Sequence, residues 1–252
     1  MTGSPSSDHY SYRHYADPTT AQTFDDRRFG GQIGSLIASE QSRVIANFIG
    51  RIKDRDIIDV GTGTGRAALM LARGGARVTA VDASEAMLEV ARRRAGEEGV
   101  AVKFFHGDAH ALDFADRSFD IAMSLRMLMH TPKWRRCVGE LCRVSQRLVI
   151  VDYPAAMSFA LLESLGRRVV HGVGLSREPY QVFADSAINA AFDRCGFRVI
   201  SRHRQFVLPI AFHKALRSRR LTLKIERLLD RLGLLKLMGS PVTIVAERCA
   251  SS

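Results

Sequence analysis

The sequence predicts a doubly wound α/β fold, in which a mostly parallel, seven-stranded sheet is covered by helices on both faces. From about Phe48 onward, short apolar β-rich runs alternate with helical patterns. The first of these runs leads into a glycine-rich turn, 61–65, that opens a helix. With 252 residues, 46% of them hydrophobic and 25% charged, the chain is long enough for one large domain, and its composition excludes a disordered or fibrous protein.

The elements are predicted in chain order. Strands are expected at 56–60, 77–81, 100–104, 119–123 and 147–151, and then at about 197–204 and 242–248, with helices near 65–73, 84–96 and 133–144. The second helix carries typical end signals, because Ser84 can cap its N-terminus and Gly96 and Gly99 can end it. We expect insertions at about 154–195 and 205–241, the second of them basic and helical.

The cysteines and the N-terminal residues indicate the cellular compartment of the protein. The four cysteines, which are Cys137, Cys142, Cys195 and Cys249, contain no CxxC pair and no zinc-site spacing, so we expect reduced thiols and no metal site. Residues 1–20 lack the apolar segment of a signal peptide, and no later run approaches 18 uncharged apolar residues. These features favour a cytoplasmic protein.

The glycine-rich turn is the strongest chemical signal in the chain. It follows the apolar strand that contains Asp59, and its glycines allow a ligand to approach the backbone beside the N–H groups of a helix N-terminus. A dinucleotide fingerprint would place its third glycine at position 66, where this chain has Arg66. The turn therefore predicts a nucleotide-like ligand and disfavours a pyrophosphate.

Two later strands also end in acidic residues. Asp82 follows the second strand, 21 positions after Gly61, where a carboxylate can accept hydrogen bonds from both ribose hydroxyls. Asp108 follows the third strand and is placed to accept a hydrogen bond from an exocyclic amine. Each acid alone is more typical of a helix cap, but their order along the chain favours an adenosine ligand.

In this order, the motifs resemble those of the class I S-adenosylmethionine-dependent methyltransferases, in particular the subgroup that contains the quinone-biosynthesis enzymes. The resemblance is close over roughly 43–153 and looser elsewhere, and it implies a methyltransferase domain at 43–252 behind an N-terminal tail and lid at 1–42. It implies that S-adenosyl-L-methionine is the cofactor. The implied cofactor-binding residues are Asp59, Gly61, Thr62, Gly63, Gly65, Asp82, Ala83, Met87, Asp108, Ala109 and Ser124.

The segment after the fourth strand borders the methyl acceptor in this family. Here it contains Arg126, a candidate to pair with an acidic acceptor group, and His130, a candidate general base because an ordinary imidazole titrates near neutral pH. A capping or packing role is the alternative for His130. Asp152 and Tyr153 after the fifth strand are candidates for the acceptor pocket or for a strand cap. Tyr15, Phe24 and Arg28 are candidates for the lid, the alternative being a solvated loop.

The net charge of +11 is concentrated near the C-terminus and favours an anionic partner. The segment from Arg198 to Lys236 contains eleven Lys or Arg residues and only two acidic residues. Within this region an amphipathic helix is predicted, in which Leu221, Ile225, Leu228, Leu229 and Leu232 recur at helical spacing beside Arg220, Lys224, Arg227 and Arg231. Two interpretations are open. In the first, the region 205–236 contacts an anionic membrane and the protein presents a lipid or quinone acceptor. In the second, the helix packs its leucines onto the sheet and leaves its charges in solvent.

The predicted function is S-adenosylmethionine-dependent methyl transfer to a small-molecule or lipid-like acceptor. The alternatives are an RNA methyltransferase that uses the basic region 198–236, a nicotinamide-dependent oxidoreductase, and a cofactor-binding protein without turnover. Arg66 and the absence of a Tyr-x-x-x-Lys pair at Tyr153, where position 157 is Met, argue against the oxidoreductase. Nucleic acid is the less favoured partner, because the segment after the fourth strand lacks the Asn/Asp-Pro-Pro-aromatic motif of base methyltransferases.

Overall fold

A seven-stranded sheet organises the protein, and the computed structural model describes residues 17–159 and 181–250 of it. The strands are β1 (Asp56–Val60), β2 (Arg77–Asp82), β3 (Val102–His106), β4 (Phe119–Ser124), β5 (Ser145–Tyr153), β6 (Phe197–Phe206) and β7 (Ser240–Arg248). Their order in the sheet is β3-β2-β1-β4-β5-β7-β6, with β7 antiparallel to both of its neighbours and the first five strands parallel. The predicted doubly wound α/β fold is confirmed.

Helices cover both faces of this sheet. They are α1 (Pro18–Phe29), α2 (Gly31–Ile49), α3 (Arg66–Arg73), α4 (Glu85–Glu98), α5 (Trp134–Val144), α6 (Asp185–Asp193), α7 (Ile210–Leu216), α8 (Arg219–Arg231) and α9 (Leu234–Met238). One core lies between the sheet and α5 and α6, and a second lies between the sheet and α2 and α3. The central strands β1, β4 and β5 are therefore buried on both faces, which explains their continuous apolar runs, whereas the edge strands β3 and β6 are largely exposed or half-buried.

The ends of α4 confirm one prediction and correct another. The hydroxyl of Ser84 accepts a hydrogen bond from the backbone N–H of Met87 at 3.2 Å, as expected for an N-cap. Gly99 ends the helix in the left-handed conformation, and the N–H of Val100 bonds to the carbonyl of Ala95 at 3.0 Å. Because Val100 belongs to this helix cap, β3 begins at Val102, and the predicted strand at 100–104 was placed two residues too early.

The first helix lies over the glycine-rich turn. Asp25 accepts hydrogen bonds from the Thr64 hydroxyl at 3.0 Å and forms an ion pair with Arg94 of α4, while Ala21 packs on α4. These contacts hold α1 over the turn, and its role as a lid stays a prediction. The expected boundary at residue 42 falls within α2, and the lid candidate Tyr15 lies outside the described residues.

Three helices, α7 to α9, occupy the predicted basic insertion between β6 and β7. Contrary to one of the two expectations, α8 does not bury its predicted apolar stripe as a whole: Leu221, Leu228 and Leu232 are 42%, 58% and 66% exposed, while Ile225 and Leu229 are half-buried. Instead, α8 buries the polar residues Thr222 and Glu226. The carboxylate of Glu226 accepts hydrogen bonds from the N–H groups of Val207 at 2.7 Å and Leu208 at 3.0 Å, and it contacts the ring of His213 at 2.8 Å. Because a buried carboxylate needs such partners, these contacts determine which face of α8 is turned toward the protein.

Removal of the Glu226 carboxylate is expected to destabilise this insertion. Glu226→Ala leaves two buried N–H groups and a buried imidazole without their acceptor, and we expect the free energy of unfolding to fall by about 2 kcal/mol. Asp230→Ala, one turn later on the exposed face of the same helix, should change it by less than about 0.5 kcal/mol. Urea denaturation of both variants measures the difference, and equal losses would contradict an anchoring role for Glu226.

Within residues 17–159 and 181–250, none of the helices combines the length and the apolar character needed to cross a bilayer.

Candidate functional site

A cavity lies at the carboxyl ends of β1, β2 and β4, beneath α1. Most of the predicted cofactor-binding residues line it together, namely Asp59, Gly61, Thr62, Gly63, Asp82, Ala83, Met87, Asp108 and Ala109. The acceptor candidates Arg126 and His130 and the lid candidates Phe24 and Arg28 line it as well. The chain thus brings five separate segments to one crevice at the carboxyl edge of the parallel strands.

Two predicted residues lie outside the lining of this cavity. The hydroxyl of Ser124, fully buried, donates to the carbonyl of Val60 at 2.8 Å and ties β4 to β1. Gly65 has a φ of +81°, and a Cβ there would approach the Cβ of Ala91 to 2.9 Å. Gly65 therefore allows the close packing of the turn against α4, and the geometry gives both residues a supporting position.

The glycine-rich turn is held to the sheet by its backbone. The N–H groups of Gly61 and Thr62 both donate to the carbonyl of Val81, at 2.8 and 3.1 Å. Gly61 adopts a φ of +73°, and a Cβ at this position would lie 2.8 Å from Cγ of Met127. The turn thus needs glycine at position 61 for both its conformation and its contact with the opposite wall of the cavity.

Asp59 lies at the base of the cavity. Its side chain is 2% exposed and accepts a hydrogen bond from the Thr62 hydroxyl at 2.8 Å. Burial raises the pKa of Asp59 to about 6, while the hydroxyl and the nearby Arg66 act in the opposite direction. The carboxylate therefore orients the glycine-rich turn. The nearby positive charge does not fully offset the cost of burying its negative charge.

Asp82 bridges the turn and the start of α4. One carboxylate oxygen accepts the N–H of Gly63 at 2.7 Å, and the other accepts the N–H of Ser84 at 2.9 Å. Burial raises the pKa of Asp82 in spite of these bonds. Each oxygen has a second lone pair, so the carboxylate keeps the capacity to accept two further hydrogen bonds from a ligand in the cavity.

Asp108 stands on the far side of the cavity, after β3. Its carboxylate accepts the backbone N–H of His110 at 3.0 Å and contacts the ring Nδ1 of His110 at 2.7 Å. His110 also lines the cavity and was not predicted from the sequence. This interaction fixes the orientation of the carboxylate at the position expected to face an exocyclic amine.

Asp152 supports the wall of the cavity that contains Arg126. This buried carboxylate accepts the backbone N–H of Arg126 and, at 3.2 Å, the side-chain amide of Gln41. The amide oxygen of Gln41 in turn accepts a hydrogen bond from Arg66. Burial raises the pKa of Asp152, and the charge of Arg126 is the main influence that lowers it.

The other two acceptor-pocket candidates, His130 and Tyr153, lie in different surroundings. His130 lies in a short 3-10 turn, Leu128–His130, and lines the cavity. Tyr153 is fully buried away from the cavity, and its hydroxyl donates to Asp185 at 2.8 Å. Burial raises the pKa of Tyr153, so its phenol stays protonated. Tyr153 therefore takes a structural position, whereas His130 lies in the wall of the cavity.

Several residues of the site were missed as functional candidates. Arg66 was noted only as a departure from the dinucleotide pattern, yet it lines the cavity and stacks over the ring of Phe29 at 4.2 Å. Asp25 and Gln41 belong to the lid and to α2, far from the motifs in sequence. No local signal marks such residues, because their partners are defined only when α1 and α2 pack over the turn.

In the part of the chain that the structure describes, no group of three or more His, Cys, Asp or Glu side chains is arranged to hold a metal ion.

Comparisons with known proteins agree with this geometry. Residues 57–147 match the family model described as a methyltransferase domain. A demethylmenaquinone methyltransferase of Thermus thermophilus is 39% identical over 103 residues, which cover 39% of this chain and 47% of that protein. A demethylmenaquinone methyltransferase of Tropheryma whipplei is 26% identical over 194 residues, covering 70% of this chain and 80% of that protein.

A solved structure shares the fold over nearly the whole chain. The magnesium protoporphyrin IX methyltransferase of Synechocystis PCC 6803, crystallised with bound SAH, superposes with a TM-score of 0.66 at 17% identity, covering 94% of this chain and 98% of that one. The expected family resemblance is confirmed, and it argues against the nicotinamide-dependent alternative. Residues 57–147 are thus similar to a methyltransferase domain, and the chain has the fold of the class I methyltransferases.

Proposed function

We propose that this chain binds S-adenosylmethionine in the cavity and transfers its methyl group to a small-molecule acceptor. The observation that carries the proposal is the joint placement of the glycine-rich turn, Asp82 and Asp108 in one cavity. The residues fit this cofactor, because an added Cβ at Gly63 would meet no atom within 4 Å and both Asp82 oxygens retain lone pairs. The matched segment covers less than half of the Thermus relative, so the acceptor is inferred from the site.

Each part of the cavity has a defined task in this proposal. Asp82 accepts the ribose hydroxyls, Asp108 beside Ala109 faces the adenine amine, and Asp59 with the turn holds the amino acid end. When bound, the cofactor supplies an electrophilic methyl group on its sulfonium. The chain aligns the acceptor atom with that methyl group, and positioning alone can supply a large part of the rate acceleration.

The acceptor lies on the side of Arg126 and His130. Both residues line the cavity beyond the glycine-rich turn, and the imidazole of His130 is suited to receive a proton from an acceptor hydroxyl. The two relatives reported above are named for quinone methylation and the structural neighbour for porphyrin methylation, which supports a small-molecule acceptor.

Calorimetric titration with S-adenosylhomocysteine, with NAD as the comparison, tests cofactor binding. We expect saturable micromolar binding of the first ligand and none of the second. Transfer of a labelled methyl group into quinone, lipid or polar metabolite extracts then separates an enzyme from a binding protein without turnover. Binding of NAD alone would overturn the proposal, and cofactor binding without any labelled product would favour the non-catalytic alternative.

Gly61→Ala is expected to weaken S-adenosylhomocysteine binding about tenfold. The new Cβ strains the backbone at φ +73° and displaces Met127 in the cavity. Gly99→Ala is the matched control, because its φ of +64° gives similar strain with no atom within 4 Å of the Cβ. Calorimetry should detect a loss of affinity only for the first variant. Equal affinities in the two variants would show that the contact with Met127 is unimportant.

We also propose that this cytoplasmic enzyme contacts an anionic membrane surface through 205–236. The exposed Leu221, Leu228 and Leu232 form a stripe along α8. The basic row of Arg220, Lys224, Arg227 and Arg231 runs beside it, one turn apart at each step. A helix with adjacent apolar and basic rows suits the interface of an anionic bilayer, where each basic residue adds on the order of 1 kcal/mol.

Co-sedimentation with vesicles tests the membrane contact. We expect binding to phosphatidylglycerol-containing vesicles at low salt and little binding to pure phosphatidylcholine. The double substitution Leu228→Gln with Leu232→Gln should abolish it, whereas Ile200→Gln, at a position 53% exposed on β6, should not. Salt-dependent binding to RNA that is lost when Arg217, Arg219 and Arg220 are neutralised would instead favour the RNA methyltransferase alternative.

A further inference from the structure

We infer, on the basis of the proposed function, that the ion pair between Asp25 of α1 and Arg94 of α4 is a latch that holds α1 over the bound cofactor. Opening of this latch then sets the rate at which the cofactor is released. The lining of the cavity includes Asp25 but not Arg94. Arg94 is therefore a positioning residue, which acts on the cofactor through Asp25.

The carboxylate of Asp25 is the point at which α1, the glycine-rich turn and α4 meet. Both of its oxygens lie 3.0 Å from the Thr64 hydroxyl, which donates to them, and the carboxylate forms an ion pair with Arg94. The guanidinium of Arg94 also donates to the backbone carbonyl of Thr64 at 3.4 Å. The Asp25 and Arg94 side chains are only 17% and 30% exposed, so solvent weakens this pair less than a typical surface ion pair.

The helix α1 forms one wall of the cavity. Four of its residues line the cavity, namely Phe24, Asp25, Arg28 and Phe29, and Thr64 of the glycine-rich turn belongs to the same lining. Because Asp25 accepts the Thr64 hydroxyl, loss of this contact separates the helix from the turn at the cavity itself. A ligand bound against the turn is thus covered on this side while the latch is closed, and it gains a way out when the latch opens.

Few apolar contacts hold the N-terminal half of α1. Among the side chains of this helix that the structure describes, only that of Ala21 is buried. Ala21 and Phe24 pack against Met87 and Val90 of α4, in a small cluster that is separate from the two cores of the sheet. Segments with few buried contacts open at a low free-energy cost. The helix can therefore leave the turn while the sheet stays folded.

The C-terminal end of α1 is attached more firmly and adjoins a hinge. Phe29 packs against residues of α2, and Nζ of Lys214 donates to the carbonyl of Arg28 at 3.1 Å. Gly31, the first residue of α2, has a φ of +71°, and an added Cβ there would meet no atom within 4 Å. Hinges are short segments at the ends of elements that absorb backbone rotation, which glycine permits. The contacts of Asp25 restrain rotation about this point.

The rate of S-adenosylhomocysteine dissociation tests the latch, measured with labelled ligand diluted into an excess of unlabelled ligand. Arg94→Gln removes the ion pair from outside the cavity, and we expect dissociation to become about fivefold faster. The effect is limited because Arg66 also attracts Asp25. Arg94→Lys keeps the charge and should restore most of the parent rate. Arg93→Gln is the matched control, because Arg93 is 57% exposed on the same helix and pairs with a residue of that helix.

The parent and Arg93→Gln should release the ligand at the same rate. An equal rate in Arg94→Gln and the parent protein, or an equal acceleration in Arg93→Gln, would overturn the inference.

A double variant tests whether Asp25 and Arg94 act as one unit. Asp25→Asn keeps an oxygen that can accept the Thr64 hydroxyl but loses the charge. Because each substitution removes the same ion pair, the combination of Asp25→Asn with Arg94→Gln should release the ligand about as fast as the faster single variant. Multiplication of the two single effects would show that the side chains act independently and would contradict the latch.

Hydrogen exchange of the unliganded protein locates the opening. In Arg94→Gln, the backbone amides of α1 should exchange severalfold faster than in the parent protein, whereas those of α5, which packs in a core of the sheet, should not change. Unchanged exchange in α1, or equal acceleration in α1 and α5, would contradict a local latch. Absence of S-adenosylhomocysteine binding to the parent protein identifies a failure of the proposed function, whereas binding with unchanged dissociation in Arg94→Gln identifies a failure of this inference alone.

Discussion

Asp82→Ala is expected to weaken S-adenosylhomocysteine binding at least about 100-fold. The carboxylate would accept both ribose hydroxyls, and each charge-assisted bond contributes roughly 1.5–3 kcal/mol. The same side chain also holds the N–H groups of Gly63 and Ser84, so its removal loosens the turn that faces the ligand. Calorimetric titration of the purified variant measures the loss.

A second variant separates the ligand contact from the fold. Asp82→Asn keeps the size of the side chain and one carbonyl oxygen but loses the charge. The amide nitrogen cannot accept the N–H of Gly63 or Ser84, so one of these two bonds is lost, while the cost of the buried charge is removed. The melting temperature of the unliganded protein should therefore fall less than in Asp82→Ala while affinity still falls. Asp193→Asn, exposed at the end of α6, is the control that should alter neither property. Unchanged affinity in Asp82→Asn would show that the ribose lies elsewhere.

The fold was predictable because its signals are local. Apolar strand runs, the Ser84 cap and the turn at Gly61 each depend on neighbouring residues, and the alternation of strands and helices restricts the topology to few choices. The start of β3 was misplaced because the hydrogen bond from Val100 to Ala95 extends the helix cap beyond Gly99. Val100 is β-branched and follows a glycine, so its residue type favours a strand and does not indicate that it belongs to a helix cap.

The orientation of α8 was beyond local reasoning. Helical periodicity identified the leucine row, but periodicity alone does not determine which face the rest of the protein covers. Glu226 turns inward because Val207, Leu208 and His213 offer it three donors from a loop and another helix. The buried polar contact exists only in the folded chain, and it leaves Leu228 exposed.

Some residues of the site could likewise be predicted from local sequence signals, and others could not. Residues at strand ends, such as Asp59 and Asp82, were predictable because the carboxyl ends of parallel strands meet at one edge of the sheet. Arg66, Gln41 and Asp25 join the site only through packing of the N-terminal helices, and their partners are distant in sequence. Sequence motifs therefore predicted the cavity residues at strand ends better than those that depend on the packing of α1 and α2.

Asp59→Asn is expected to stabilise the unliganded protein at neutral pH and to weaken cofactor binding. Burial raises the pKa of Asp59 from an ordinary value of 3.8 to about 6. Between about pH 4 and pH 6 the folded protein therefore binds more protons than the unfolded chain, and this residue's contribution to the free energy of unfolding falls as pH rises. Above pH 6 the full cost of the buried charge is present, about 3 kcal/mol as an upper estimate.

The substitution removes that cost and keeps the structural hydrogen bond. The side-chain carbonyl of Asn can still accept the Thr62 hydroxyl, which Asp59 binds at 2.8 Å. Urea denaturation at pH 7.5 should show Asp59→Asn to be more stable than the parent protein by up to about 3 kcal/mol. At pH 4 the two proteins should differ little. The exposed control Asp113→Asn should show no such difference between the two pH values.

Cofactor affinity should change in the opposite direction, which distinguishes a functional carboxylate from a merely tolerated one. If Asp59 faces the amino group of the cofactor, loss of its charge should weaken S-adenosylhomocysteine binding at least about tenfold. Binding to the parent protein should likewise weaken as pH falls from 7 to 5, because protonation removes the same charge. A stability gain with unchanged affinity would restrict Asp59 to orienting the turn through Thr62. A gain of equal size at pH 4 and pH 7.5 would contradict titration of Asp59 as its cause.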